Sequence, residues 1–229
     1  MHQVTTSDFR LTCKYAGADV VYTEMVAAEA IIRHVPKSFE MMTFHKDERP
    51  IVVQIFGNNP KTMARAAKII ENEIEPDGID INLGCPVQKA AKQGFGSCQL
   101  KDADGVGKIL REIKKKVRIP VSVKMRLVSK IPIETIDFIK VLENNGVDLV
   151  AIHGRTPTQK YSGHADWELM HKVKKEFPNL LILGNGDIES AQNLKDKLGN
   201  LDGALIGRAA KRDPEIFCDL KSSIPPQLK

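Results

Sequence analysis

Cys85 is the residue from which the chemistry of this chain can be argued. The thiol follows the apolar run Ile79–Leu83 and sits between Gly84 and Pro86, where a strand would stop and the backbone would turn sharply. Lys89 and Lys92 come shortly afterwards, followed by Gly94 and Gly96, whose missing Cβ lets the backbone approach a ligand closely. A thiol, two ammonium groups and a bare loop together ask for an anionic partner. Gln54 and Lys124 interrupt runs that are otherwise mostly apolar, Ile51–Phe56 and Val121–Arg126. A lysine inside such a run must pair with an acid or face a polar ligand, because an isolated buried charge is costly. Asn82, Arg126, His153 and Arg155 also stand at or just beyond the ends of apolar runs, as does Glu24.

These residues need elements to position them. Seven mostly apolar runs read as strands covered on both faces: Val20–Met25, Ile51–Phe56, Ile79–Leu83, Val121–Arg126, Leu149–His153, Leu180–Gly184 and Ala204–Ile206. Between them, apolar residues three and four apart predict helices at Lys61–Ile74, Gly105–Val117, Ile133–Asn144, Trp167–Phe177 and Ser190–Leu198, and a first helix runs from about Thr6 to Tyr15. Alternating strands and helices imply parallel strands with crossover helices, an α/β fold of the (β/α)8 TIM-barrel type. A closed barrel of that type has eight strands. Seven leave an open edge, so we expect an incomplete barrel, from a truncated chain or with a strand supplied from elsewhere.

In such barrels the site forms at the carboxyl ends of the strands. The last two runs end in Gly184-Asn185-Gly186-Asp187 and in Gly207-Arg208, glycine turns and an arginine suited to a phosphate. A phosphate there leaves a planar ring free to reach Gln54, Lys124 and Cys85, and FMN is the best fit. Taken singly, the glycines could be mere turn formers, Cys85 an inert thiol and His153 a core histidine. Their joint placement at one rim favours the functional reading.

Composition sets outer bounds. The 229 residues are 42% hydrophobic and 28% charged, enough for one large core. No apolar run reaches the roughly 20 residues of a membrane span, and the start has no secretory pattern, so a cytoplasmic protein without membrane attachment is expected. Cys13, Cys85, Cys98 and Cys218 form no metal or disulfide spacing, so no metal is expected and reduced thiols are. A net charge of +5 is compatible with a nucleic-acid partner and does not establish one. Residues 1–221 read as the catalytic barrel and 222–229 as a tail or the start of a linker, and a monomer is expected.

With those residues in view, the sequence resembles the tRNA-dihydrouridine synthase family. The specific segments are Asn82-Leu-Gly-Cys-Pro-Val87 with Lys89, Lys92, Gly94, Gly96 and Ser97; Val123-Lys-Met-Arg126; and His153-Gly-Arg-Thr156 followed by Gln159, Tyr161, Ser162, Gly163, Ala165, Asp166 and Trp167. The resemblance implies an FMN barrel that reduces a tRNA uridine to 5,6-dihydrouridine, with NADPH as electron donor and Cys85 as proton donor. A thiol suits that role, since its ordinary pKa of about 8.5 keeps it mostly protonated at neutral pH. It further implies cofactor contacts from Met1, Gln54, Lys124 and His153, with Asn185, Gly186, Asp187, Gly207 and Arg208 around the phosphate. Asn82, Lys89 and Arg155 would hold the base, and Lys92 and Arg126 the RNA backbone. Thr6 stands where the family pattern has an aspartate. The family's opening strand and its C-terminal helical domain have no counterpart in these residues, which agrees with the strand count. Two alternatives stay open: another FMN barrel oxidoreductase acting on a free pyrimidine or enone, and a non-catalytic partial copy.

Overall fold

The computed structural model describes residues 4–87 and 92–223 of the chain. Its centre is one sheet of parallel strands, β1 (Val21–Tyr22), β2 (Val26–Ala27), β3 (Ile51–Phe56), β4 (Gly78–Leu83), β5 (Val121–Arg126), β6 (Leu149–His153), β7 (Leu181–Asn185) and β8 (Gly203–Leu205). β1 and β2 both lie along β3, Val21 beside Ile51 and Val26 beside Ile55, so they share one strand position. Of the expected strand at Val20–Met25 only Val21–Tyr22 joins the ladder, which resumes beyond its end at Val26–Ala27. Thr23 accounts for the break: its Oγ1 accepts the Gln54 amide at 3.2 Å and donates to the Glu24 carbonyl at 2.9 Å, diverting the ladder through a side chain. The path β1-β3-β4-β5-β6-β7-β8 then occupies seven positions, and among the described residues β8 does not pair with β1. An incomplete barrel of seven strands is what the sequence called for.

Helices wrap the outside: α1 (Ser7–Tyr15), α2 (Ala28–Ile32), α3 (Pro36–Glu40), α4 (Pro60–Ile69), α5 (Ala103–Lys114), α6 (Pro132–Asn144), α7 (Trp167–Glu176), α8 (Ala191–Leu198), α9 (Arg208–Arg212) and α10 (Ile216–Ser223). Five start on a side-chain cap, from Thr6, Asn59, Asp102, Asp166 and Ser190, each accepting an amide of the first turn. Such a cap is worth about 1 kcal/mol. Helix α10 includes Ser222 and Ser223, which the sequence assigned to a tail; the rest of that expected tail, 224–229, lies outside the described residues. The core fills the space between the outer strand faces and the helices. Ile79, Ile81, Val123, Met125, Val150 and Ile152 meet Met63, Ile70, Leu110, Ile113, Phe138 and Leu142, all buried. Each side chain of this kind contributes about 1.5–3 kcal/mol on burial.

At the amino ends of the strands one device recurs. Asp77, just ahead of β4, accepts the amide of Ile51 at the foot of β3 and pairs with Arg49, both at 2.8 Å. Asp148, ahead of β6, accepts from Val121 of β5 and from Lys114, both at 2.7 Å. Asp202, ahead of β8, accepts from Ile182 of β7 at 2.7 Å and pairs with Lys174 at 2.8 Å. Each carboxylate fastens one strand to the next. At the open edge Asp19, ahead of β1, pairs with Lys221 of α10 at 2.9 Å.

Candidate active site

Side chains of one parity along each strand point into the barrel. They are Val52, Gln54 and Phe56 on β3; Asp80 and Asn82 on β4; Ser122, Lys124 and Arg126 on β5; His153 on β6; and Asn185 on β7. Register stacks them: Gln54, Asp80 and Ser122 lie side by side, Asn82 is level with Lys124, and Arg126, His153 and Asn185 form the upper row. The interior is thus polar where it approaches the carboxyl-end rim.

The lowest of these layers centres on Asp80, which is fully buried. Its Oδ1 accepts from Ser122 Oγ at 2.6 Å and its Oδ2 from Gln54 Nε2 at 2.7 Å. Burial pushes this carboxyl up to about 6, against the opposing effect of those two hydrogen bonds and of Lys124. Burial lowers Lys124 to about 8; Asp80 opposes the fall and Arg126 adds to it. Among the described residues no hydrogen bond reaches the Lys124 ammonium, which fronts the cavity. The sequence required an acid or a polar ligand for this lysine; among the described residues Asp80 acts on it only through its charge, with no ion pair, and the ammonium is left facing the cavity. Neither Asp80 nor Ser122 was singled out from the sequence. Their period-two spacing with Asn82 and with Lys124 and Arg126 was the available signal.

Above this layer the chain leaves β4 as the turn that carries Cys85. Asn82 Oδ1 accepts the amides of both Gly84 and Cys85 at 3.1 Å. On the carbonyl side, Arg126 Nε donates to the Gly84 oxygen at 3.1 Å and the Ser97 amide to the Cys85 oxygen at 3.0 Å. Gly96 makes the second approach possible. Its φ is +75°, and a Cβ there would lie 2.7 Å from the Cys85 oxygen. The turn is therefore anchored through donors and acceptors alike, with the half-buried thiol facing the cavity.

The far rim is built around Asp187. Arg155 pairs with this carboxylate at 2.8 Å, the Ala165 amide donates to it at 2.8 Å and Arg208 approaches at 3.2 Å. Burial works against the Asp187 charge, but the Ala165 amide and the Arg155 and Arg208 guanidiniums hold its pKa below the ordinary value. Arg155, 3% exposed, also donates to the carbonyls of Ser162 and Gly163, so its donors brace the segment at 156–165. Arg126 is likewise buried and donates to the carbonyls of Thr156 and Lys160. His153 is lowered to about 3 by burial, with the positive charges of Lys124, Arg126 and Arg155 adding to the effect, so it is a neutral imidazole. Its Nε2 lies 3.3 Å from an Arg155 nitrogen that can only donate, which places the ring proton on Nδ1. Tyr161 is exposed at the rim between the Arg126 and Arg208 guanidiniums, 5.6 and 5.0 Å from its ring centre. Sequence reasoning had counted Tyr161 only as part of a motif.

The structure brings Gln54, Asn82, Cys85, Lys124, Arg126, His153, Asn185, Gly186, Asp187, Gly207 and Arg208 to the carboxyl-end part of one cavity, whose whole volume of about 1960 Å³ runs along the unpaired edge to the amino ends of the strands at Pro50, Pro120 and Asp148. Arg155 stands behind His153 and outside that lining. Lys92 is exposed. Met1 and Lys89 lie outside the described residues. No group of three or more metal-ligating side chains occurs among the described residues. A phosphorylated planar cofactor fits what is present. The Lys124 ammonium, without a hydrogen-bond partner among the described residues, faces the cavity, and the Gly186 and Gly207 turns line its far end.

Such a structure defines a (β/α)-barrel protein, one strand short of closure, with a candidate site at the carboxyl ends of its strands. Solved structures agree on the fold. A 2-naphthoyl-CoA reductase complex superposes with a TM-score of 0.71 at 12% identity, over 93% of this chain and 46% of that one. The aldolase QR15 gives 0.61 at 14% identity, over 92% and 86%. Sequence comparison is more specific. The family described as "Dihydrouridine synthase (Dus)" matches residues 1–228. A probable tRNA-dihydrouridine synthase of Aquifex aeolicus is 36% identical, over 96% of this chain and 71% of its own length. A tRNA-dihydrouridine synthase B of Pasteurella multocida is 34% identical over 98% and 68%. The chain belongs to the dihydrouridine synthase family.

Proposed function

We propose that this protein reduces a uridine in tRNA to 5,6-dihydrouridine, using FMN with NADPH as the reductant. The observation that carries this reading is the Cys85 turn: a thiol fixed from both sides, facing the same cavity as the Lys124 ammonium. Lys124, Gln54 and His153 would hold the flavin ring. Asn185, Gly186, Gly207 and Arg208 would surround its phosphate, with Asp187 keeping Arg208 in place. FMN, when bound and reduced, supplies the hydride that adds at C6 of the uracil. Cys85 gives its proton to C5, and solvent restores the thiol. The product gains two hydrogens, one from each source.

The chain's own residues account for the rest. Neutral His153 neither adds charge beside the ring nor competes for the thiol proton. Arg126 fixes the Gly84 carbonyl and so the reach of the thiol. Exposed Tyr161 between two guanidiniums offers a basic aromatic ledge to an unstacked base and its phosphate, and base–aromatic stacking is worth about 1–3 kcal/mol. Exposed Lys92 suits the RNA backbone.

The test is to load purified protein with FMN, add NADPH and compare unmodified tRNA with free uridine, reading dihydrouridine by nucleoside mass spectrometry. Flavin retention, product from tRNA and loss of product in Cys85→Ala with flavin still bound are the expected results. Protein that binds no flavin, a preference for the free base, or product at the parental rate in Cys85→Ala would overturn the reading.

A further inference from the structure

Asp80 touches neither the thiol nor the rim, yet it ends a chain of hydrogen bonds that all point one way. The amides of Gly84 and Cys85 donate to Asn82 Oδ1 at 3.1 Å. Asn82 Nδ2 donates to Gln54 Oε1 at 2.8 Å, and Gln54 Nε2 donates to Asp80 Oδ2 at 2.7 Å. A carboxamide has nearly the same shape in its two orientations, so packing alone does not choose between them. The ends of this chain do. Backbone N–H groups only donate and a carboxylate only accepts, so flipping Gln54 sets oxygen against Asp80, and flipping Asn82 sets nitrogen against the amides of the turn.

We propose that Asp80 is a positioning residue that, through Gln54 and Asn82, orders the turn presenting the Cys85 thiol. The inference deepens the assignment of Cys85 above and rests on it for its functional meaning. The other groups facing Asp80 fit the role. Ser122 Oγ on β5 holds the second carboxylate oxygen, Lys124 on β5 supplies the positive charge that favours its ionised, acceptor-only form, and Tyr22 on β1 lies beside them. Asp80 is fully buried and Gln54 and Asn82 are half-buried along the cavity wall, so an amide set the wrong way forfeits its bond to the carboxylate or to the amides of the turn.

The test reads the thiol directly in flavin-free protein. Iodoacetamide labelling is followed peptide by peptide in the parent, Asp80→Ala, Gln54→Leu, the double variant and Asp80→Asn. Buried Cys13 reports global opening, and Cys98, on the Gly-rich loop beside the turn, is a second internal control. The expected result is about a fivefold faster labelling of Cys85 in each single variant, the factor that one net hydrogen bond of about 1 kcal/mol corresponds to. Cys13 stays protected, and the double variant adds nothing further, because both substitutions cut the same chain. Asp80→Asn recovers most of the parental rate, since its oxygen can still accept from Gln54 while its amide donates to Ser122. Should Asp80→Ala not fold, Asp80→Leu, which fills the site with an apolar group, takes its place. An unchanged Cys85 rate, a parallel rise at Cys13, or multiplying effects in the double variant would overturn the proposal. Loss of the proton-donor reading would instead show in the dihydrouridine assay with the labelling pattern intact.

Discussion

Replacing Lys124 by methionine should make the flavin-free protein more stable near neutral pH while weakening its hold on an anionic cofactor. The fall of the Lys124 pKa from 10.5 to about 8 is caused first by burial. At 1.36 kcal/mol per pH unit it corresponds to about 3 kcal/mol against the charged form. Because the ammonium fronts the cavity, water offsets part of this, and about 2 kcal/mol is the gain to expect from a neutral side chain of similar length. The sign is set by proton binding. With its pKa lowered, native Lys124 holds fewer protons than unfolded Lys124 between about 8 and 10.5, so this residue's contribution makes the parent more stable as pH rises through that window. Its full cost is present below about 8. Urea denaturation of both proteins at several pH values reads the difference directly: the variant leads by about 2 kcal/mol near pH 7, and the lead closes by about pH 10.5. A variant less stable than the parent near neutrality, or a lead indifferent to pH, would refute the account of Lys124 as a cost carried for a ligand. Flavin affinity should fall at least tenfold in the same variant, the effect of losing one charge-assisted hydrogen bond of about 1.5–3 kcal/mol.

Gly186→Ala should also impair flavin binding, because φ is +125° there and the added Cβ would lie 2.7 Å from Ala165 Cβ and 3.1 Å from the His153 ring. A strained backbone of this kind costs about 1–3 kcal/mol, readable as a lower melting temperature with weaker retention of flavin absorbance. Asp202→Ala should cost about 2–4 kcal/mol in urea denaturation, since it strips the buried Lys174 of its carboxylate and the Ile182 amide of its acceptor. Asp19→Ala should cost less than about 1 kcal/mol, because the Asp19–Lys221 pair is largely exposed, and equal losses from the two substitutions would contradict the fastening role given to Asp202.

What could be read from the sequence was governed by how many physical requirements each segment had to meet at once. Strands β3, β5 and β6 fall on the residues expected: β3 and β6 as nearly unbroken apolar runs, and β5 because Val121, Val123 and Met125 alternate with its polar residues. The first strand was misjudged as continuous because Thr23 substitutes a hydroxyl for a main-chain partner, a choice no apolar pattern records. The short helices α2 and α3 were also missed; five residues give too little periodicity to register. In the site, Cys85, Gln54 and Lys124 were visible as interruptions or endings of apolar runs. Asp80 interrupts Ile79–Leu83 in the same way but was passed over, and its role emerges only when its parity is matched to Gln54 and Ser122 on the neighbouring strands. Arg155 and Asp187 were expected at the substrate and the cofactor phosphate. The fold sets them against each other, a pairing between residues 32 positions apart that spacing cannot reveal.

The open edge and the site occupy different parts of the sheet, and this separation bears on what the protein can do. Gln54, Asp80, Asn82, Lys124 and His153 stand on β3, β4, β5 and β6, each paired on both sides. The cavity's far end is different. Gly207 and Arg208 come after β8, which pairs with β7 alone among the described residues and is only three residues long. Edge strands with one neighbour open at lower free energy than those inside a sheet. The thiol and the ammonium are thus carried by strands inside the sheet, whereas the glycine and arginine end is tied to the rest by the short β7–β8 ladder, the Asn185–Leu205 bond and Asp187, which lies just past β7 and reaches Arg208 while Arg155 and the Ala165 amide hold it. Weak closure at that edge would be felt first as loose retention of a phosphate, with the geometry of the Cys85 turn preserved.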